Sequence, residues 1–206
     1  MLINKILNVI SWQLQLPVSQ QQELSTFTPY FVLENDHLKL TSPSNGVTTA
    51  NSRFPRCELR QLIDGKPGVW SMTKQKNIME AVLSITKVPK IKPIMCFAQV
   101  KSSDLHVQIV ELQLRYGNLT ACYKNSSGQF ITEFLQKYVL GEKFQIKLIA
   151  ESGKLQVYID GIKRTTIKSK NQNCYFKIGS YIQSSVNNGE DPSSVATTLL
   201  YSLKIK

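Results

Sequence analysis

The feature that most constrains this chain is a period-two alternation of apolar and polar residues, repeated in short runs from one end to the other. PYFVLEN and HLKLTSP near the start form one pair, and EAVLSITKV, IMCFAQVKS, HVQIVELQLRYG and LTACYKN follow. GEKFQIKLIAES and KLQVYIDG meet at a Ser-Gly turn and read as a hairpin. TTIKS, NCYFKIGSYIQ and ATTLLYSLKIK close the chain. Alternation at this spacing is the signature of half-buried strands, because successive side chains of a strand point to opposite faces. About a dozen short strands imply an all-β, two-sheet sandwich of jelly-roll type. One stretch, TEFLQKYVL at 132–140, carries the best helical pattern and is expected to be a helix. No linker or composition break divides the chain, so residues 12–206 are read as a single domain behind a lead-in at 1–11.

Composition narrows the function. Hydrophobic residues make up 42% of the 206 positions and charged residues 19%, enough for a buried core. No run approaches the ~20 apolar residues a membrane helix needs, so no membrane partner is expected. The net charge of +11 points to a polyanionic partner. It resides in residues 51–206, since residues 1–50 carry two basic and three acidic groups. Solvated lysines account for part of that excess. No basic arm, recognition helix or named nucleic-acid module is readable, so nucleic acid is not the expected partner.

Cys57, Cys96, Cys122 and Cys174 are widely separated, with no C-x-x-C pair, and read as free buried thiols. His37 and His106 are too few for a multi-histidine metal site. The opening MLINKILNVIS is interrupted by Asn4 and Asn8 and lacks a small-residue cleavage site, so no clear signal peptide is read. Synthesis inside a cell, with packaging in a virion or release on lysis, is the expectation. The sequons at Asn118 and Asn125 carry weight only on a secretory route.

Sorting three strands by face gathers a polar set. In RFPRCELRQ, Arg56, Glu58 and Arg60 oppose Cys57 and Leu59; in CFAQVKS, Gln99 and Lys101 oppose Ala98 and Val100. In CYFKIGSYIQ, Tyr175, Lys177, Gly179, Tyr181 and Gln183 oppose Phe176, Ile178 and Ile182. Arg, Lys, Gln and Tyr together suit a groove that grips carboxylates and sugar rings. Each member also has a plainer reading. Arg56-Glu58-Arg60 can be a salt-bridge ladder, Lys101 a solvated lysine, and Tyr181 one more sheet aromatic. Glu58 is expected to be structural, holding both guanidinium groups.

These residues resemble a known family. WQLQLP at 12–17, SPSNGVTTANSRFPRCELRQ at 42–61, FAQVK at 97–101, GKLQVYIDG at 153–161 and YFKIGSYIQ at 175–183 are similar, in order and spacing, to alginate lyases of polysaccharide lyase family 7. The resemblance implies a β-jelly roll whose concave face binds a uronic-acid polymer and cleaves it by β-elimination, as a monomer and without metal or organic cofactor. It implies catalytic roles for Arg56, Gln99, Lys101 and Tyr181, with Arg60, Tyr175, Lys177 and Gln183 binding substrate. One position departs. The family's third motif ends in a catalytic histidine, whereas this chain has Gln99-Val100-Lys101. Lysine there resembles polysaccharide lyase family 14, known from algal viruses and molluscs, which leaves alginate and polyglucuronate both open as substrates. His106, five residues on, is not expected to replace the missing imidazole. A non-catalytic acidic-glycan-binding module, or a virion protein, is the competing expectation.

Overall fold

The computed structural model describes residues 2–18, 24, 27–48, 52–104 and 108–206. Fourteen strands lie among them: β1 Trp12–Gln15, β2 Phe31–Glu34, β3 His37–Pro43, β4 Arg56–Gln61, β5 Asn77–Lys87, β6 Ile94–Ser102, β7 Gln108–Arg115, β8 Asn118–Lys124, β9 Phe130–Lys137, β10 Phe144–Glu151, β11 Lys154–Ile159, β12 Ile162–Lys168, β13 Cys174–Ile182 and β14 Val195–Ile205. They form two seven-stranded sheets, ordered β1-β4-β13-β6-β7-β8-β9 and β12-β11-β10-β5-β14-β3-β2. Every pairing is antiparallel. The all-β sandwich expected from the alternation is the fold observed.

The inward residues of each strand make one core. Leu14, Leu59, Ile178, Ala98, Leu112 and Ala121 of the first sheet join Leu38, Leu40, Leu83, Ile146, Val157 and Leu200 of the second in a single buried cluster. Phe97 meets Phe144 edge-on between the sheets, with ring centroids 5.5 Å apart. Short 3-10 turns at Leu2–Lys5 and Val9–Ser11 precede β1, and Ile3, Ile6 and Leu7 are buried in the same cluster. The Ser152-Gly153 hairpin turn is present, with φ of 51° and 72°, the left-handed pair a two-residue hairpin requires.

Two features depart from the sequence reading. The stretch 132–140 is no helix: residues 130–137 are strand β9, paired with β8. Its Phe-Ile-Thr start favours extended backbone, and the neighbouring strand's open hydrogen bonds override a weak helical pattern. Strand pairing also slips by one residue between β6 and β7 at Cys96/Ala98, and between β13 and β6 at Ile178/Tyr181. The first slip puts Phe97 and Ala98 together in the core and separates Cys96 from that cluster.

Candidate functional site

Strand order assembles what the chain keeps apart. β13 lies between β4 and β6, so residues near 58, 99 and 177 become neighbours. Across the face of the first sheet that points away from the core, the register makes two rows. One runs Gln13, Arg60, Lys177, Gln99, Glu111, Cys122 and Thr132. The other runs Arg56, Tyr181, Cys96, Gln113, Thr120 and Phe134. Lys101 pairs with Tyr175 on one side and Gln108 on the other.

This outward face is buried at its centre. Glu58 is fully buried, and Gln99, Lys177, Arg56 and Tyr181 are 1%, 2%, 4% and 8% exposed. Glu58 is the hub. Arg56 Nη1 donates to its Oε2 at 2.9 Å, Lys177 Nζ donates to the same oxygen, and Gln99 Nε2 donates to Oε1. Arg56 is further held by Ser52 Oγ, and its guanidinium lies 3.9 Å from the centre of the Tyr181 ring. Arg60 does not reach Glu58; it stacks on Tyr175 at 4.2 Å and donates to the Gln61 carbonyl. The ladder expected of Arg56, Glu58 and Arg60 thus becomes a cluster in which Lys177 takes the second cationic place.

Gly179 lets the cluster form. A Cβ there, at φ of 146°, would sit 2.5 Å from the Cys57 carbonyl and 2.9 Å from Glu58 Cα. Glycine alone allows β13 this close to β4. Beside it, Ser180 turns inward and bonds to Leu40 O and Thr198 Oγ1.

Burial sets the electrostatics. It pushes Tyr181 up to about 12, against Arg56 pulling down, so the phenol keeps its proton at neutral pH. Burial, then the positive charge of Arg56, lowers Lys101 from the usual lysine range, against Glu58 and Glu111. Burial lowers Lys177 to about 7, partly offset by Glu58. Burial opposes ionisation of Glu58, but Lys177 and Arg56 outweigh it and hold the carboxyl below its ordinary value. Lys101 Nζ forms no hydrogen bond or ion pair with any described residue.

Arg56, Glu58, Gln99, Lys101, Lys177 and Tyr181 therefore share one patch, with Arg60 and Tyr175 beside it. Gln183 stands apart, just past the end of β13, where it lines a cavity of about 130 Å³ with Phe54, Ile91 and Glu190. His106 lies outside the described residues. All four cysteines are free and buried. Among the described residues no group of three His, Cys, Asp or Glu could hold a metal ion, and no helix is long and apolar enough to cross a membrane. Sequence reasoning missed Glu111. The alternation in HVQIVELQLRYG places Glu111, Gln113 and Arg115 on one face, but only the register with Gln99 brings Glu111 to the cluster.

Comparison with known proteins gives a consistent picture. The family model described as alginate lyase matches residues 7–206. The solved alginate lyase AlgAT5 from polysaccharide lyase family 7 superposes with a TM-score of 0.89 at 29% identity, covering 100% of this chain and 98% of that one. An alginate lyase from Corynebacterium sp. gives 0.83 at 27% identity, covering 98% and 96%. Alginate lyase A1-II', a family 7 member, shares the fold with a TM-score of 0.84 at 23% identity, over 96% and 95%. A comparison with curated proteins finds no match.

Proposed function

The chain belongs to the alginate lyase family and is a polysaccharide lyase, and from that premise we propose that it cleaves alginate by β-elimination at the cluster around Glu58. The observation carrying this reading is the convergence of buried Arg56, Gln99 and Tyr181 and half-buried Lys101 from three strands onto one outward patch. A surface that only bound polyanions would keep its cations in water, where they cost nothing to hold.

Removing the C5 proton of a uronate is hard because the adjacent carboxylate is already negative. Arg56 and Gln99 meet that carboxylate and stabilise the charge that grows on it in the transition state. Arg56 has five N–H donors, of which Glu58 and Ser52 engage two. The Gln99 amide is oriented by its bond to Glu58 and keeps a second N–H for substrate. Lys101 Nζ takes H5, the C4–O4 bond breaks, and the Tyr181 hydroxyl protonates the departing O4, leaving a C4=C5 double bond. The lowered basicity of Lys101 and the retained phenol proton of Tyr181 both suit these roles. Glu58 positions the cluster and touches no reacting atom. Arg60 on Tyr175 and, further along, Gln183 bind the flanking sugars, whereas Lys177, expected from the sequence to bind substrate, is buried against Glu58 and helps hold the cluster.

The test is incubation with alginate, its mannuronate-rich and guluronate-rich fractions, and polyglucuronate, with unsaturated uronate followed by ultraviolet absorbance. Product from alginate is expected. Product from polyglucuronate alone would move the substrate, and none from any polymer would overturn the reading.

A further inference from the structure

Glu111 is a carboxyl group on a face built to meet a polyanion, and the reaction above gives it no work. It is 6% exposed and sits opposite Gln99 on the adjoining strand. Its Oε2 accepts a hydrogen bond from Gln113 Nε2 at 2.6 Å, and Gln113 Oε1 in turn accepts from Arg115 Nη1 at 2.8 Å. The carboxyl is thus anchored along β7 through Oε2, with Gln99 of β6 and Cys122 of β8 as its cross-strand neighbours. Two residues along β6 from Gln99, on the same outward side, is Lys101; a one-residue slip between Val100 and Lys101 sets its backbone opposite Gln108, and long side chains reach diagonally across such a ladder.

The surrounding charges leave this pairing as the natural one. From β4 come Arg56 and Glu58; from β13, Tyr175, Lys177 and Tyr181; from β6, Cys96 and Lys101; from β8, Cys122; along β7, Arg115. Arg56 and Lys177 are already engaged by Glu58, and Arg115 by Gln113. Lys101 has no such partner among the described residues, and Glu58 already accepts three donors.

We propose that Glu111 is a positioning residue for Lys101, its carboxylate steering the amine and stabilising the ammonium that forms when Lys101 takes the C5 proton. The proposal rests on the reading of Lys101 as base. Proton abstraction turns a neutral amine into a cation beside Arg56 and Lys177, and a fixed anion offsets that repulsion. Each group feels the other. Burial raises Glu111, offset first by the hydrogen bond from Gln113 and then by the charges of Lys101 and Arg56, and the negative charge of Glu111 is, after that of Glu58, among the influences that hold Lys101 up.

The test compares wild type with Glu111→Gln and Lys101→Ala on alginate. Glu111→Gln is expected to lower kcat about tenfold with KM little changed, and to move the midpoint of the alkaline climb in kcat/KM down by about one pH unit, because the amine loses the anion that favoured its charged form. Lys101→Ala should abolish the climb. A Glu111→Gln midpoint and kcat equal to wild type, with the climb still lost in Lys101→Ala, would overturn the pairing and leave the lyase reading standing. An active Lys101→Ala enzyme with the wild-type profile would overturn pairing and base role together. Should Glu111→Gln fail to fold, nitrogen-15 titration of the wild-type Lys101 side chain decides: a second, lower inflection reporting Glu111 supports the pairing, and a single inflection overturns it.

Discussion

The outward faces of the two sheets use the same charged residues in opposite ways. On the second sheet Glu80 takes Lys147 and Lys206 at 2.8 Å each, and Glu34 takes Lys39 at 2.9 Å, with the lysine side chains 38–60% exposed. On the first sheet Glu58 takes Arg56 and Lys177, and none of the three side chains exceeds 5% exposure. Pairs of the first kind are screened by water and contribute about 0–1 kcal/mol. A cluster of the second kind pays a desolvation cost that hydrophobic packing would avoid, so stability does not explain its presence. The net charge of +11 is therefore a poor guide to the site. Burial of charge marks the proposed one.

Substitutions on the two faces should differ in kind and size. The largest effect is expected on turnover at Arg56: Arg56→Ala should lower kcat by ~10²–10³, since its work is on charge that grows in the transition state. A rise in KM with normal kcat would make Arg56 a simple anchor. Next comes Glu58→Ala, which strands two buried cations and should cost ~3–5 kcal/mol in denaturant unfolding. Glu80→Ala, with the same number of cationic partners, should cost under ~1 kcal/mol. Equal losses would erase the distinction between the two faces. Smaller still is the effect of salt: affinity for alginate should fall as ionic strength rises, while neutral glucans fail to compete at any salt. Competition by laminarin equal to that of a uronate ligand would remove the substrate groove from this face.

pH offers a further reading of the same face. A base must be unprotonated to act, so turnover should climb with pH through the Lys101 pKa. Burial and Arg56 lower that value, and the climb should begin below the range of an ordinary lysine. Lys101→Arg retaining much of the rate would assign Lys101 to charge neutralisation instead.

Much of this was legible in the sequence because a strand sorts its own side chains. Cys57 and Leu59 inward, with Arg56, Glu58 and Arg60 outward, follow from alternation alone. What alternation cannot convey is which strands lie side by side. Glu58 has Lys177 rather than Arg60 as its second cation because β13 adjoins β4, a contact across more than a hundred residues. The one-residue slip at Cys96/Ala98 breaks the two-residue rule, and so the place of Cys96 beside Tyr181 could not be read. Strand β9 was hidden for a related reason: TEFLQKYVL has local helical character, and only the edge of β8 makes it extended.

The buried outward cluster is the proposed place where the polymer is cut. That role is tested most directly by Tyr181→Phe, which removes one hydroxyl and keeps the ring that lies against Arg56. Assayed on alginate by the ultraviolet absorbance of unsaturated product, the variant should bind polymer as wild type does and release none. Wild-type turnover from Tyr181→Phe would contradict the account.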